Sequence, residues 1–273
     1  MITLAATPLG NDDDASPRLR RALQEAELIA AEDTRRLRSL AQRLGIKISA
    51  QVIPYHDHNE EKVAPKLVAT AAAGTDILMV SDAGMPVVSD PGYRLVKLAA
   101  AAGIPVQVIP GPSAALTALA LSGLPSNRFT FFGFLPRKAG ERSRVLNGLA
   151  ALDTTWIFFE SPRRVTATLA DLAVAFGEQR PAALCRELTK THEEVCRGTL
   201  ADLQQRAAVQ EILGEVTLVV AGCSEKDTDI SAAVLEEVQE LHALGLRLKD
   251  AASYVAKRHN LRANEIYERA LDN

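Results

Sequence analysis

The chain has no Gly-x-Gly anywhere, because its sixteen glycines never fall two residues apart. That absence removes the glycine-rich dinucleotide fingerprint of Rossmann sheets, and no Gly-x-x-x-x-Gly-Lys-Ser/Thr is present to form a phosphate-binding P-loop. Aromatic residues make up only 4% of the 273, so the core is aliphatic. Three cysteines, Cys185, Cys196 and Cys223, are odd in number and lack metal-ligand spacing. They read as small buried hydrophobes in a reducing, cytoplasmic compartment. No stretch of eighteen consecutive apolar residues suggests a membrane span, and the N-terminus lacks the basic and apolar regions of a signal peptide. A net charge of −3 excludes a polycation, so a nucleic-acid partner would have to be held by local basic patches. Asp12-x-Asp14-x-Ser16 resembles a phosphatase nucleophile motif only faintly, since Gly10-Asn11 separates it from the first strand.

What is present is alternation. Short apolar runs at Thr3–Ala6, Leu28–Ala31, Val52–Tyr55, Ile77–Val80 and Val106–Ile109 read as strands, with helical stripes between them. Such alternation predicts parallel pairing with helices on both faces. Ser16-Pro17 places an N-cap before a helix-starting proline, and Asn59 is a candidate cap for the helix running to Ala73. A second alternation follows at Phe129–Phe134, Trp156–Phe159, Ala182–Leu188, Glu194–Arg197 and Val216–Val220. There Glu194 follows the previous strand too closely for a helical crossover, which predicts antiparallel pairs. The expected architecture is α/β, with an N-terminal domain over 1–115 and a C-terminal α/β domain over 116–223. After the polar linker Ser224–Asp229, a small helical module over 230–273 has helix-turn-helix spacing around His259-Asn260. Acidic Glu265 and Glu268 in its last helix favour packing or dimerisation over nucleic-acid reading.

Polar or glycine-proline loops follow all five strands of the first domain, at the edge where parallel sheets bind ligands. Gly84 would let a ligand approach the backbone, and Pro86 would stiffen the turn. Asp82 could serve a ligand or cap local amides, and Asp90 reads as a cap or turn residue. Glu32, Asp33 and Arg35 could pair with one another. His56 and His58 flank Asp57, but no third ligand set is spelled nearby, so no metal is expected. In the second domain charge gathers at strand ends, at Glu160 with Arg163 and at Arg186, Glu187 and Lys190. Arg137 and Lys138 lie in a basic loop. These cations are where phosphate contacts would fall.

Taken in order, eight motifs resemble one family: Ala6-Thr-Pro-Leu-Gly-Asn11, Ala31-Glu-Asp-Thr-Arg35, Tyr55-His-Asp-His-Asn-Glu60, Ser81-Asp-Ala-Gly-Met-Pro86, Pro110-Gly-Pro-Ser-Ala114, Gly133-Phe-Leu-Pro-Arg-Lys138, Phe159-Glu-Ser-Pro-Arg163 and Arg186-Glu-Leu-Thr-Lys190. The family is the branch of the tetrapyrrole-methylase superfamily that methylates small-subunit ribosomal RNA, and the likeness covers about residues 1–222. It implies two α/β domains with S-adenosylmethionine in the cleft between them, usually in a homodimer. The implied reaction is 2′-O-methylation of a cytidine, cytidine 1402, of 16S ribosomal RNA or the small subunit, with no DNA or membrane involved. By the same resemblance, cofactor contacts come from Pro8, Asp82, Ala83, Gly84, Met85, Val87, Ser113 and Ala114, with Phe159 and Leu188 from the second domain. A general base would assist deprotonation of the ribose hydroxyl, and Glu32, Asp33, Glu160 and Glu187 are the candidates. Arg35, Arg163, Arg186 and Lys190 would position RNA phosphates, with Arg137 and Lys138 nearby. Rival readings are methylation of a tetrapyrrole or of a modified histidine, or a non-catalytic RNA-binding scaffold.

Two departures from the family pattern stand out. Met85 occupies a position usually held by threonine, and Asp12 one usually held by leucine. Loss of the hydroxyl at position 85 leaves backbone contacts available, so Met85→Thr is expected to leave cofactor affinity largely intact in calorimetry. A change of about tenfold or more would show that the side chain itself matters.

Overall fold

Four-residue apolar runs form parallel strands, the central ones at Leu28–Ala31 and Ile77–Val80 buried at every residue and the outer ones at Gln51–Pro54 and Val106–Ile109 partly exposed. In the computed structural model, which describes residues 1–223, 232–259, 261 and 263–271, the first sheet contains β1 (Ile2–Ala5), β2 (Leu28–Ala31), β3 (Gln51–Pro54), β4 (Ile77–Val80) and β5 (Val106–Ile109). Its order is β3-β2-β4-β1-β5 and every pairing is parallel. Helices α1 (Pro17–Glu25) and α2 (Thr34–Arg43) cover one face, where Leu19, Leu23, Leu37 and Ala41 meet Ile29, Leu78 and Val80. Helices α3 (Glu60–Ala72) and α4 (Tyr93–Ala101) cover the other, burying Leu67 and Leu95 on Leu4, Ala30 and Met79.

Local capping matches the sequence reading in one place and departs from it in another. Ser16 accepts from the Leu19 N–H at 3.1 Å, as a residue before Pro17 can. Asn59 occupies the cap position of α3 but makes no cap bond. Its side chain instead turns back, accepting from His56 N–H at 2.9 Å and donating to the Pro54 carbonyl at 3.0 Å. Asn59 thereby fixes the loop after β3 rather than the helix.

Helix α5 (Ala114–Ser122), which has no amphipathic stripe to mark it in the sequence, leads into a second sheet of β6 (Phe129–Phe134), β7 (Thr155–Glu160), β8 (Pro181–Arg186), β9 (Glu194–Thr199) and β10 (Val216–Val220). The order is β6-β7-β10-β8-β9. Only β6–β7 is parallel, and β8–β9 is the antiparallel pair that their short connection requires. One face packs on α5 through Ala118, Leu119, Ile157, Ala183 and Val219. The other packs on α6 (Ala139–Leu149), α7 (Val165–Phe176) and α8 (Leu200–Val209) through Leu146, Phe158, Leu169, Leu172 and Leu203.

The chain divides into two compact units. Both sheets lie in the first, Met1–Ala150 with Thr154–Ala221. The second takes in Ala151–Asp153 with Gly222–Asn273, and contains α9 (Ala232–Ala243), α10 (Leu248–His259) and α11 (Ala263–Leu271). These three helices bury their own small core of Val238, Ala252, Val255, Ile266 and Ala270. The linker Ser224–Asp229, Asn260 and the Glu265 side chain lie outside the described residues. No described helix is long and apolar enough to cross a membrane.

Candidate active site

The order of the first sheet puts β1 beside β4, so the loops that follow them meet. Thr7 and Gly84 exchange backbone hydrogen bonds, N–H to carbonyl, at 2.9 and 3.0 Å, and Thr7 Oγ1 donates to the Ser81 carbonyl at 3.2 Å. Gly84 has φ +80°, and a methyl there would lie 3.1 Å from Leu9, so glycine satisfies both backbone and space. Val87, Ser89, Glu187 and Thr189 are the non-glycine residues with positive φ among the described residues. They fall in just two loops, those after β4 and β8. A branched side chain such as Val87 at φ 77° is strained, and such strain concentrates at ligand-gripping segments.

Carboxylates from neighbouring strand ends interlock behind the Thr7–Gly84 bridge. The Asp82 N–H donates to Glu32 at 3.1 Å, and the Asp33 N–H donates to Asp82 at 3.0 Å. Arg36 Nη1 lies 3.3 Å from the second Asp82 oxygen. Burial pushes the Glu32 and Asp82 carboxyls above their usual range, against the hydrogen bonds and the Arg36 charge that favour ionisation. Asp90 is pushed furthest, to about 7, by burial and then by the charge of Glu32, with Asp82 and Asp57 adding to it. Asp33 behaves oppositely: as the cap of α2 it accepts from Arg35 and Arg36 N–H and pairs with the Arg35 guanidinium, which holds it at about 2.

These groups line a cavity of about 420 Å³ between the two sheets. The first-sheet side supplies Glu32, Arg36, Asp82, Ala83, Gly84, Met85, Asp90, Ser113 and Ala114. The second supplies Phe134, Phe159, Glu160, Gly214 and Glu215. A bulge between Phe131 and Gly133 in β6 turns Phe134 toward Phe159, with ring centroids 5.8 Å apart. Of its charged lining groups, Glu32, Asp82, Asp90, Glu160 and Glu215 are acidic and only Arg36 is basic; with Glu160 paired to Arg164 and Glu215 to Lys190, three carboxyls face one arginine, and the cavity favours a cationic ligand.

Most other residues nominated from sequence lie outside this cavity. Val87 packs into the first-sheet core and Leu188 into the second. Pro8 and Lys190 line an adjoining cavity of about 310 Å³. Glu160 lies in the cavity wall with its side chain almost wholly buried, and accepts from Thr168 and from Ser161 N–H, both at 2.7 Å, while pairing with Arg164. Glu187 accepts from Glu215 N–H and from Lys190 Nζ, both at 2.9 Å, which lowers its pKa. Partial burial opposes the Lys190 charge, but Glu187 and Glu215 outweigh it and the pKa rises. Arg186 pairs with Glu194 at 2.7 Å. Arg137, Lys138 and Arg163 are exposed, Lys138 pairing with Glu141. His56 and His58 stack edge-on, and no described cluster of His, Cys, Asp or Glu is placed to hold a metal ion.

Sequence reasoning missed Arg36, Asp90 and Phe134. Arg36 stands one residue beyond the quoted Glu-Asp-Thr-Arg motif, and its place on the first turn of α2 was the available signal. Asp90 belongs to Asp-Pro-Gly, which reads as a turn. Nothing local shows that strand order returns it beside Glu32 and Asp57.

Residues 1–204 match the family model of the Tetrapyrrole (Corrin/Porphyrin) Methylases. The chain is 48% identical over 271 residues to the ribosomal RNA small subunit methyltransferase I of Mycobacterium bovis, covering 99% of this chain and 94% of that one. To the protein of the same description from Halalkalibacterium halodurans it is 42% identical, covering 97% and 93%. Among solved structures, the methyltransferase CobJ superposes with TM-score 0.62 at 22% identity, over 81% of this chain and 94% of that one. A uroporphyrin-III C-methyltransferase from Thermus thermophilus, complexed with S-adenosylhomocysteine, gives 0.56 at 18% identity over 80% and 95%.

Asp90 generates a testable pH dependence. An unfolded aspartate releases its proton near 3.8, whereas the folded chain retains it to about 7. Between these values the native state binds more protons, so its stability falls as pH rises through that window. Asparagine cannot titrate. Urea unfolding is therefore expected to show Asp90→Asn gaining on the parent as pH rises from about 4 to 7, and a difference independent of pH would contradict the assignment.

Proposed function

The chain belongs to the tetrapyrrole methylases, in the ribosomal RNA small subunit methyltransferase I group, and from this membership we propose that it methylates the 2′ hydroxyl of a cytidine, cytidine 1402, in 16S ribosomal RNA. The observation carrying the reading is the acidic cavity between the sheets, whose volume falls in the roughly 300–1,000 Å³ range of small-molecule sites. S-adenosylmethionine carries positive charge on sulfur and on its amino group, which suits a wall where Glu32, Asp82 and Asp90 face one arginine. The side-chain-free edge of Gly84 and the strained loop after β4 offer backbone groups to it, Ala83, Met85, Ser113 and Ala114 extend that wall, and Phe159 closes the opposite side. Bound there, the cofactor supplies a methyl group on an electrophilic sulfonium.

The protein's own residues must align the acceptor, exclude water and take up a proton. Asp90 is the base we assign, because a carboxyl titrating near neutrality is both available and basic enough. Glu32, also raised, is its neighbour in the cavity. Asp33, Glu160 and Glu187 are committed to a helix cap, a buried network and the loop after β8, which makes them positioning groups under this reading. The protein works in the cytoplasm, on the ribosomal RNA of the small subunit.

We also propose a homodimer through α5. That helix carries no charged residue on any face, yet Leu116 is 54% exposed. A helix apolar all round is normally covered.

Ribose-methylation mapping of 16S RNA from cells lacking the protein is expected to lose one cytidine signal, and an unchanged map would refute the substrate. In single turnovers at saturating cofactor, Asp90→Asn is expected to slow transfer by at least about 100-fold, whereas a near-normal rate removes Asp90 as the base. Leu116→Glu is expected to convert a dimer to a monomer in sedimentation. A parent chain already monomeric would dispose of the interface.

A further inference from the structure

The second cavity adjoins the first and differs from it in charge. The two share Leu9, Arg36, Asp82, Ala83 and Glu215, so occupants of both would touch. Where the first cavity has one cation against five carboxylates, the second has three cations, Arg36, Arg43 and Lys190, against three carboxylates, Asp12, Asp82 and Glu215. Arg36, Ser39, Leu40 and Arg43 are spaced i, i+3, i+4 and i+7, a single stripe of α2. The exposed side of that helix continues the pattern with Arg35 and Arg38, and α2 contains no acidic residue.

Each cation in the second cavity is held in place and keeps donors to spare. Arg43 Nε lies 2.8 Å from Asp12, and Nη1 donates to Ser39 at 3.1 Å. Arg36 meets Asp82 through Nη1 at 3.3 Å. A guanidinium has five N–H donors, so both can bind a further anion without releasing these partners. The Lys190 stem lies over Gly10, where any side chain would collide with it. Asp12, the departure from the family's leucine, thus has a definite effect: it orients Arg43 toward the cavity.

We propose that this second cavity is the phosphodiester subsite of the acceptor strand, in which Arg43 and Arg36 hold the RNA phosphate next to the target ribose and the arginine face of α2 carries the strand onward. The inference rests on the RNA-methylating function proposed above. It explains why cations are few in the cofactor cavity yet gathered beside it: the cationic cofactor and the anionic strand need different balances of charge within one nucleotide of each other.

The test uses the full-length protein and small subunits from cells lacking it. Arg43→Gln is expected to raise KM for subunits about tenfold and to flatten the salt dependence of log KM by about 0.7, the share of one phosphate on a single strand. The melting temperature, kcat and affinity for S-adenosylmethionine should stay at parental values. Arg43→Lys, which keeps the charge, should restore most of both the KM and the salt slope. A merely structural role for Arg43 would not move that slope. An active parent whose KM and slope are unaltered by Arg43→Gln overturns the subsite alone. A loss of cofactor affinity instead would give the cavity to the cofactor's carboxylate, and also overturns it. A parent chain that methylates no subunit overturns the function and the subsite together.

Discussion

Asp82 is the group on which the site depends. One of its oxygens accepts from the Asp33 N–H at the start of α2, the other faces Arg36, and its own N–H is given to Glu32. Two strand-end loops, those after β2 and β4, are tied through one residue. Its side chain is half-buried, and a buried carboxylate persists in charged form only when such partners surround it. Removing it would unfasten the first turn of α2 from the sheet and free Arg36, which borders both cavities. The Thr7–Gly84 bridge performs the matching task on the other side, joining the loops after β1 and β4 by backbone alone.

Strain and packing oppose each other across these loops. Val87 and Ser89 in one, and Glu187 and Thr189 in the other, hold backbone angles that cost roughly 1–3 kcal/mol each. They persist because what surrounds them is rigid. Val87 is pressed into the core of the first sheet, and Leu188, between the two strained residues of the second loop, is buried with Cys185 and Val219. Val87 and Leu188, cofactor contacts by resemblance, turn inward. Val88 and Ser89, beside Val87, are left on the cavity wall.

Much of this was legible in the sequence. Strand runs, the parallel first sheet and the antiparallel β8–β9 pair followed from apolar length and connection length. Helix α5 was not legible, because Ala114–Ser122 has no amphipathic stripe: its residues are apolar on every side, and a period is what identifies a surface helix. The strand-end loops could be marked as a binding edge, but their mutual placement could not. Asp57, Glu32 and Asp82 belong to loops far apart in the chain, and only the order β3-β2-β4 makes them neighbours. The shift of Asp90 depends on that neighbourhood, so a residue that looks like a turn former becomes the most perturbed carboxyl in the cavity wall.

The same geometry constrains how charge can be used. An acidic cavity stabilises a cation but repels a phosphate, and within a few ångströms neither effect is screened by salt. A protein that must bring both together cannot average the two environments and has to separate them by a wall. Here that wall is narrow: Leu9, Ala83, Glu215 and the Asp82–Arg36 pair. Asp82 and Arg36 line both cavities as one ion pair, with Glu32 bonded to Asp82 in the first and Arg43 on the same stripe of α2 as Arg36 in the second. Replacing either member would blur the boundary on both sides, so the pair cannot be divided into a residue for one ligand and a residue for the other.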